Sequence, residues 1–203
     1  MKDFYFYLSV FTGFLILVLL AFIVFNSGGE FKYKVERSGV EFVSNTADPG
    51  ELLDSFRNAQ IIVFSPQFVE SGPENSYMAN ALTVFNSVLV AKGKKVVVVA
   101  RVLDDKGNIK SCQTNYGDPK KGEELTAQDC AAMLSSGAPD PVIFFSLPDS
   151  RLQKPRAVLS KGNAAVSPSS FDNVSYTSFV FLSSLYPDAQ SIIEGVNSVV
   201  KKL

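Results

Sequence analysis

From Phe4 to Phe25 the chain reads FYFYLSVFTGFLILVLLAFIVF without a charged residue, and beyond it apolar and polar positions alternate in short, punctuated runs. As a helix at about 1.5 Å per residue the uncharged stretch is roughly 33 Å long, against a hydrocarbon core of about 30 Å. The pattern therefore predicts a transmembrane helix over residues 4–25, preceded by a short tail of residues 1–3. Phe4, Tyr5, Phe6 and Tyr7 place aromatic rings where an interfacial belt belongs. A cleaved signal peptide fits less well, because the run exceeds the usual apolar region of roughly 7–15 residues and no small-x-small site follows it. A buried soluble helix fits least, since the stretch is apolar all round. Asn26-Ser27-Gly28-Gly29 opens a flexible joint over 26–30, leaving residues 31–203 as the folded domain.

Within that domain FKYKVE and VEFVSN predict a hairpin turning through Arg37-Ser38-Gly39. DPGELLDSFRNA opens a helix: Asp48 can cap it, Pro49 suits its first position, Glu51 has capping-box spacing, and Leu52, Leu53 and Phe56 form its stripe. IIVFS is a continuous apolar run, the mark of a strand covered on both faces. Met78, Leu82, Phe85 and Leu89 recur at helical spacing, and Gly93 stops that helix. KVVVVARVL is a second buried strand, turning through Asp104-Asp105-Lys106-Gly107-Asn108 into IKSCQT. A third helix starts at Thr126, with Asp129 at the reciprocal capping position and Leu125 placed to staple onto Cys130, and Gly137 ends it. PVIFFSL is the third buried strand, followed by RAVLS and AAVS paired around Lys161-Gly162-Asn163. Phe171, Val174, Ser178, Phe181 and Leu185 follow helical period in a β-branched, aromatic segment, which we read as helix. Pro187 opens a last helix lined by Ile192, Val196, Val199 and Leu203. Strands separated by helices predict parallel pairing with right-handed crossovers. The expected fold is α/β: a three-layer Rossmann-like sandwich with a mostly parallel sheet, preceded by the transmembrane helix.

Composition narrows the chemistry. The 19 basic and 20 acidic residues leave a net charge of −1, with no basic face for nucleic acid. Histidine is absent. That removes the Ser-His-Asp and Cys-His nucleophiles and every imidazole metal ligand. A general base would have to be a perturbed Asp, Glu, Lys or Tyr. No metal site or cofactor is expected.

Both cysteines, Cys112 and Cys130, flank the polar segment QTNYGDPKKGEELTAQD. Such a loop has little apolar area with which to order itself, and a cross-link closing it is worth about 3 kcal/mol in the chain-entropy model. A disulfide is the favoured reading. A reduced pair and a reactive thiol are the alternatives, the latter because Cys130 lies near a helix amino end. A persistent disulfide belongs to an oxidising compartment. The triplet Asn173-Val174-Ser175, a possible glycosylation acceptor at Asn173, points the same way. Against both, Lys32, Lys34 and Arg37 after the span outnumber Lys2 before it, so the positive-inside count favours a cytoplasmic domain. The balance favours an extracytoplasmic one.

Nucleotide motifs fail on inspection. GDPKKGEE has the glycine spacing of a P-loop, but Glu123 and Glu124 replace its lysine and hydroxyl residue. No dinucleotide glycine fingerprint follows a strand. DDKGN lacks the alternating ligands and closing glutamate of a calcium loop and reads as a solvated turn. The remaining guide is architectural, since ligands in open α/β sheets lie beyond the carboxyl ends of the strands. Those ends offer Ser65 and Gln67, Arg101 and Asp104, and Ser146, Asp149 and Arg151, with Glu70, Glu74 and Asn75 at a possible rim. The plainer alternative is that the serines bond to loop backbone and Arg101 makes an ion pair. The functional expectation is a membrane-anchored binding or accessory subunit, contacting lipid through residues 4–25 and a protein partner through the domain. The alternatives are an enzyme using carboxylates or Lys at the strand ends, and a small-ligand sensor. A deep pocket lined by Asp104, Asp149 and Arg101 would favour the enzyme, and a crevice closed by side chains the binding subunit.

Overall fold

The computed structural model describes residues 31–114, 123–134, 140–189, 191, 192 and 195. Nine strands, β1 (Tyr33–Arg37), β2 (Val40–Ser44), β3 (Ile61–Val69), β4 (Lys95–Leu103), β5 (Ile109–Thr114), β6 (Glu124–Thr126), β7 (Val142–Phe145), β8 (Arg156–Ser160) and β9 (Asn163–Ser167), form one sheet in the order β1-β2-β8-β9-β7-β3-β4-β5-β6. Four helices accompany it among the described residues: α1 (Pro49–Asn58), α2 (Asn75–Ala91), α3 (Ala127–Met133) and α4 (Val174–Leu185).

The local signals act as the residues dictate. Asp48 accepts a hydrogen bond from Gly50 N at 2.8 Å and Pro49 opens α1, so the first turn is capped and its φ preset. The β1–β2 hairpin turns through Ser38 at φ 45° and Gly39 at φ 72°, the paired positive-φ geometry whose twist matches that of the strands. Thr126 caps α3 by accepting from Asp129 N, and its own hydroxyl donates to the Asp129 carboxylate. The aromatic segment after Ser170 is helical, as its period indicates. Strand β6 is a finding the sequence reading lacked: three residues, two of them polar, sit below the length at which alternation is detectable. Of the last expected helix, Val196, Val199 and Leu203 lie outside the described residues, as does Gly137.

The expected mostly parallel, three-layer sandwich is corrected. Only β9, β7, β3 and β4 run parallel as a block. Four of the eight pairings are antiparallel, because each is joined by a connection too short to cross over and reverses the chain instead. The layers differ too. Helices α1, α2 and α4 all cover one face, where Phe42, Phe64, Phe85, Phe145 and Phe181 meet in a single core. Alternation along β4 makes the division explicit: Ala100 joins that core, whereas Val99 joins a small cluster with Cys112 and Cys130 on the other face. Among the described helices, only the seven-residue α3 lies on this second face. No described helix is long and apolar enough to cross a membrane, and the transmembrane helix expected over 4–25 falls on residues outside those described.

Cys112 and Cys130 form a disulfide with Cα atoms 5.7 Å apart, fully buried and packed against Val99. The bond ties β5 to α3, as the polar loop between them suggests.

Candidate functional site

The carboxyl ends of β3, β4 and β7 gather several of the expected residues around one break in the hydrogen-bond ladder. Strand β3 runs on through Pro66, in the middle of the sheet. Its pairing with β4 stops at Phe64↔Val98 and resumes at Gln67↔Arg101, because proline has no N–H to donate. In place of that donor, Ser65 Oγ donates to the Val99 carbonyl at 2.9 Å. Ser65 is fully buried and its hydroxyl is consumed by this repair. Gln67, one pair farther on, reaches across to β7, its Oε1 accepting from Leu147 N at 2.9 Å.

Arg101 reaches the same break. Its Nη2 donates to the Ser65 carbonyl at 2.9 Å, and the guanidinium stands 5.2 Å from the centroid of the Phe144 ring on β7. The residue is 8% exposed and its Nε–H has no acceptor. Burial pulls the guanidinium pKa down to about 10, since desolvation penalises the charged form. No acidic side chain among the described residues contacts it, so the ion pair of the plainer alternative is not found among them.

The acids of the predicted crevice are elsewhere. Asp104 closes the β4–β5 turn, accepting from Lys106 N and Asn108 N at 2.9 and 2.8 Å, and these bonds, led by Asn108, hold its carboxyl below the usual range. Asp149 takes Arg151 in a two-point ion pair at 2.9 Å through each oxygen. Ser146 continues β7, its N–H donating to Val166 O. Glu70 pairs with Lys110, and Asn75 binds both backbone groups of Val69. These residues frame a polar groove of about 300 Å³ beside the ends of β3 to β5. Glu74 stands at the start of α2, without a side-chain capping bond. Asn173 sits in a 3-10 turn, half-buried, with Nδ2 donating to Ser169 Oγ at 3.0 Å. Ser65, Gln67 and Arg101 are thus brought together; Asp104, Asp149 and Arg151 are not part of that cluster.

A second groove, of about 480 Å³, lies at the β1 edge. There Glu41 is buried between two cations, 2.6 Å from Lys34 Nζ and 2.8 Å from Arg156 Nη2. The Lys34 hydrogen bond leads in holding its carboxyl below the usual range. Sequence reasoning missed this cross-strand arrangement, because Glu41 and Arg156 are far apart in the chain and become neighbours only through the β2–β8 register. No group of three or more potential metal ligands occurs among the described residues.

Comparison with protein-family models, curated proteins and solved structures finds no match.

Proposed function

We propose that the chain is a membrane-tethered, non-catalytic binding domain, an accessory subunit of a membrane-associated assembly. The observation that carries this reading is that the strand-end crevice holds no acid–base pair among the described residues. Gln67 spans it to Leu147, Ser65 is spent on Val99, and Arg101 stands without the carboxylate that an acid–base site would place beside it. The tether rests on the uncharged stretch of residues 4–25. The buried disulfide supports a domain facing away from the reducing interior.

Two measurements test the reading together. Alkaline carbonate should leave the full-length protein in the membrane pellet. Purification in mild detergent should return it with a second protein in fixed stoichiometry. Release by carbonate would sink the tether. Solitary recovery together with turnover of a small substrate would sink the accessory role.

A further inference from the structure

We propose that Arg101 is the anchor of a carboxylate-binding subsite, lying between β3 and β7 at the topological switch point of the sheet. This rests on the binding-domain reading and specifies what is bound. After β3 the chain leaves through α2 to β4 on one side; after β7 it leaves towards β8 and β9 on the other. Adjacent parallel strands whose connections part in opposite directions leave a crevice at their carboxyl ends, where open α/β sheets take ligands. Arg101 belongs to β4, but its side chain crosses β3 to reach this boundary, touching Ser65 of β3 and Phe144 of β7.

Three observations point to an anion. A guanidinium that is 8% exposed has lost most of its water, a cost that proteins offset with a counter-charge. Its Nε–H is left without an acceptor, although Nε and Nη2 share the edge on which guanidinium groups grip two oxygens. The group is also held in place before any ligand arrives, by the Ser65 carbonyl and the Phe144 ring, so little ordering entropy remains to be lost. Phe144, Gln67 and Ser146 around it are half-buried and Nε itself is buried, so a ligand oxygen reaches Nε only when one of these side chains moves aside.

The charge selects a carboxylate over a phosphate. Arg101 supplies one positive charge, and Lys110 and Arg151, at the same end of the sheet, are taken by Glu70 and Asp149. A planar monoanion matches one fork; a phosphate dianion wants more. The carboxylate could belong to a small acid or to an Asp or Glu of the partner subunit.

The test uses the full-length protein in detergent micelles with 15N-labelled arginine, following the Arg101 Nε–H resonance. Arg101→Lys assigns it by its disappearance. Should that variant not fold, Phe144→Leu assigns it by the lost ring-current shift. Acetate, at ionic strength matched with chloride, should move the resonance saturably. Saturation by acetate identifies a small acid. No response to acetate, but a shifted resonance in the co-purified complex, identifies the partner's side chain. A resonance indifferent to both overturns the inference, and co-purification persisting in Arg101→Lys would then leave the accessory reading intact. A response to acetate without any stable second protein would do the reverse.

Discussion

The Phe64 and Phe85 rings stack 4.4 Å apart at an interplanar angle of 17°, fastening β3 to α2 at the middle of the sheet. Phe145 and Phe181 close on the same ring of Phe85 at 5.4 and 5.9 Å, so one side chain joins two parallel strands and two helices. Phe85→Ala should therefore destabilise the domain by about 3–5 kcal/mol, read as a lower denaturant midpoint with an unchanged slope. A loss below about 1 kcal/mol would mean that the helices repack over the gap and that this cluster is not the centre of the fold.

The Cys112–Cys130 bond acts on the other face. It closes a segment of polar sequence, and among the described residues β5 and β6 pair only over Ser111–Gln113 and Glu124–Thr126. Replacing both cysteines by alanine should cost about 3 kcal/mol in the chain-entropy account. Unreduced protein should carry no thiol that alkylates, because both sulfurs are fully buried in the bond. Two alkylated thiols in unreduced protein taken from cells would remove both the staple and the support it lends to the proposed external domain.

These contacts mark where the sequence is legible and where it is not. Elements written in local chemistry, such as the Asp48-Pro49 helix start, the Ser38-Gly39 turn and the Thr126 cap, follow from neighbours a few residues apart. The sheet's mixed direction depends on how much of it is hairpin, and the short β6 carries no period at all. The candidate site failed to assemble as expected for a more specific reason. Pro66 reads as a strand terminator, yet β3 continues to Val69 because Ser65 supplies the donor that proline lacks. That repair fixes Ser65 and brings Arg101 over the gap, and nothing in the local residue pattern reveals either.

Glu41 should set part of the acid limit of stability. Its carboxyl titrates below the usual range in the folded state, held there first by Lys34 and then by Arg156. A depressed folded-state pKa contributes stability that is present above the unfolded value, near 4.3, and is lost as the pH falls through the folded one. Glu41→Gln removes the negative charge that faces two cations on neighbouring strands and leaves one acceptor oxygen of two. The variant should lose about 1–2 kcal/mol at neutral pH, and its stability should fall less steeply than that of the parent below about pH 4. Parallel acid limbs for the two proteins would show that the triad carries no pH-dependent stability.

Tyr186 governs the opposite limit. It is 7% exposed, its hydroxyl has no hydrogen-bond partner, and burial pushes its pKa up to about 12 from an ordinary value of 10. A raised folded-state pKa stabilises the fold below the unfolded value and loses that contribution as the pH climbs from about 10 towards about 12. At neutral pH the hydroxyl is a liability, because a buried polar group without a partner forfeits the hydration it had when unfolded. Tyr186→Phe keeps the ring and discards that group. It should raise stability by about 1 kcal/mol, which for a domain of this size lifts the thermal midpoint by about 2–4 °C. An ultraviolet titration of the parent should include a step near pH 12 that the variant lacks. A variant less stable than the parent would mean that the hydroxyl has found a hydrogen bond, with water or another group, that stabilises the fold.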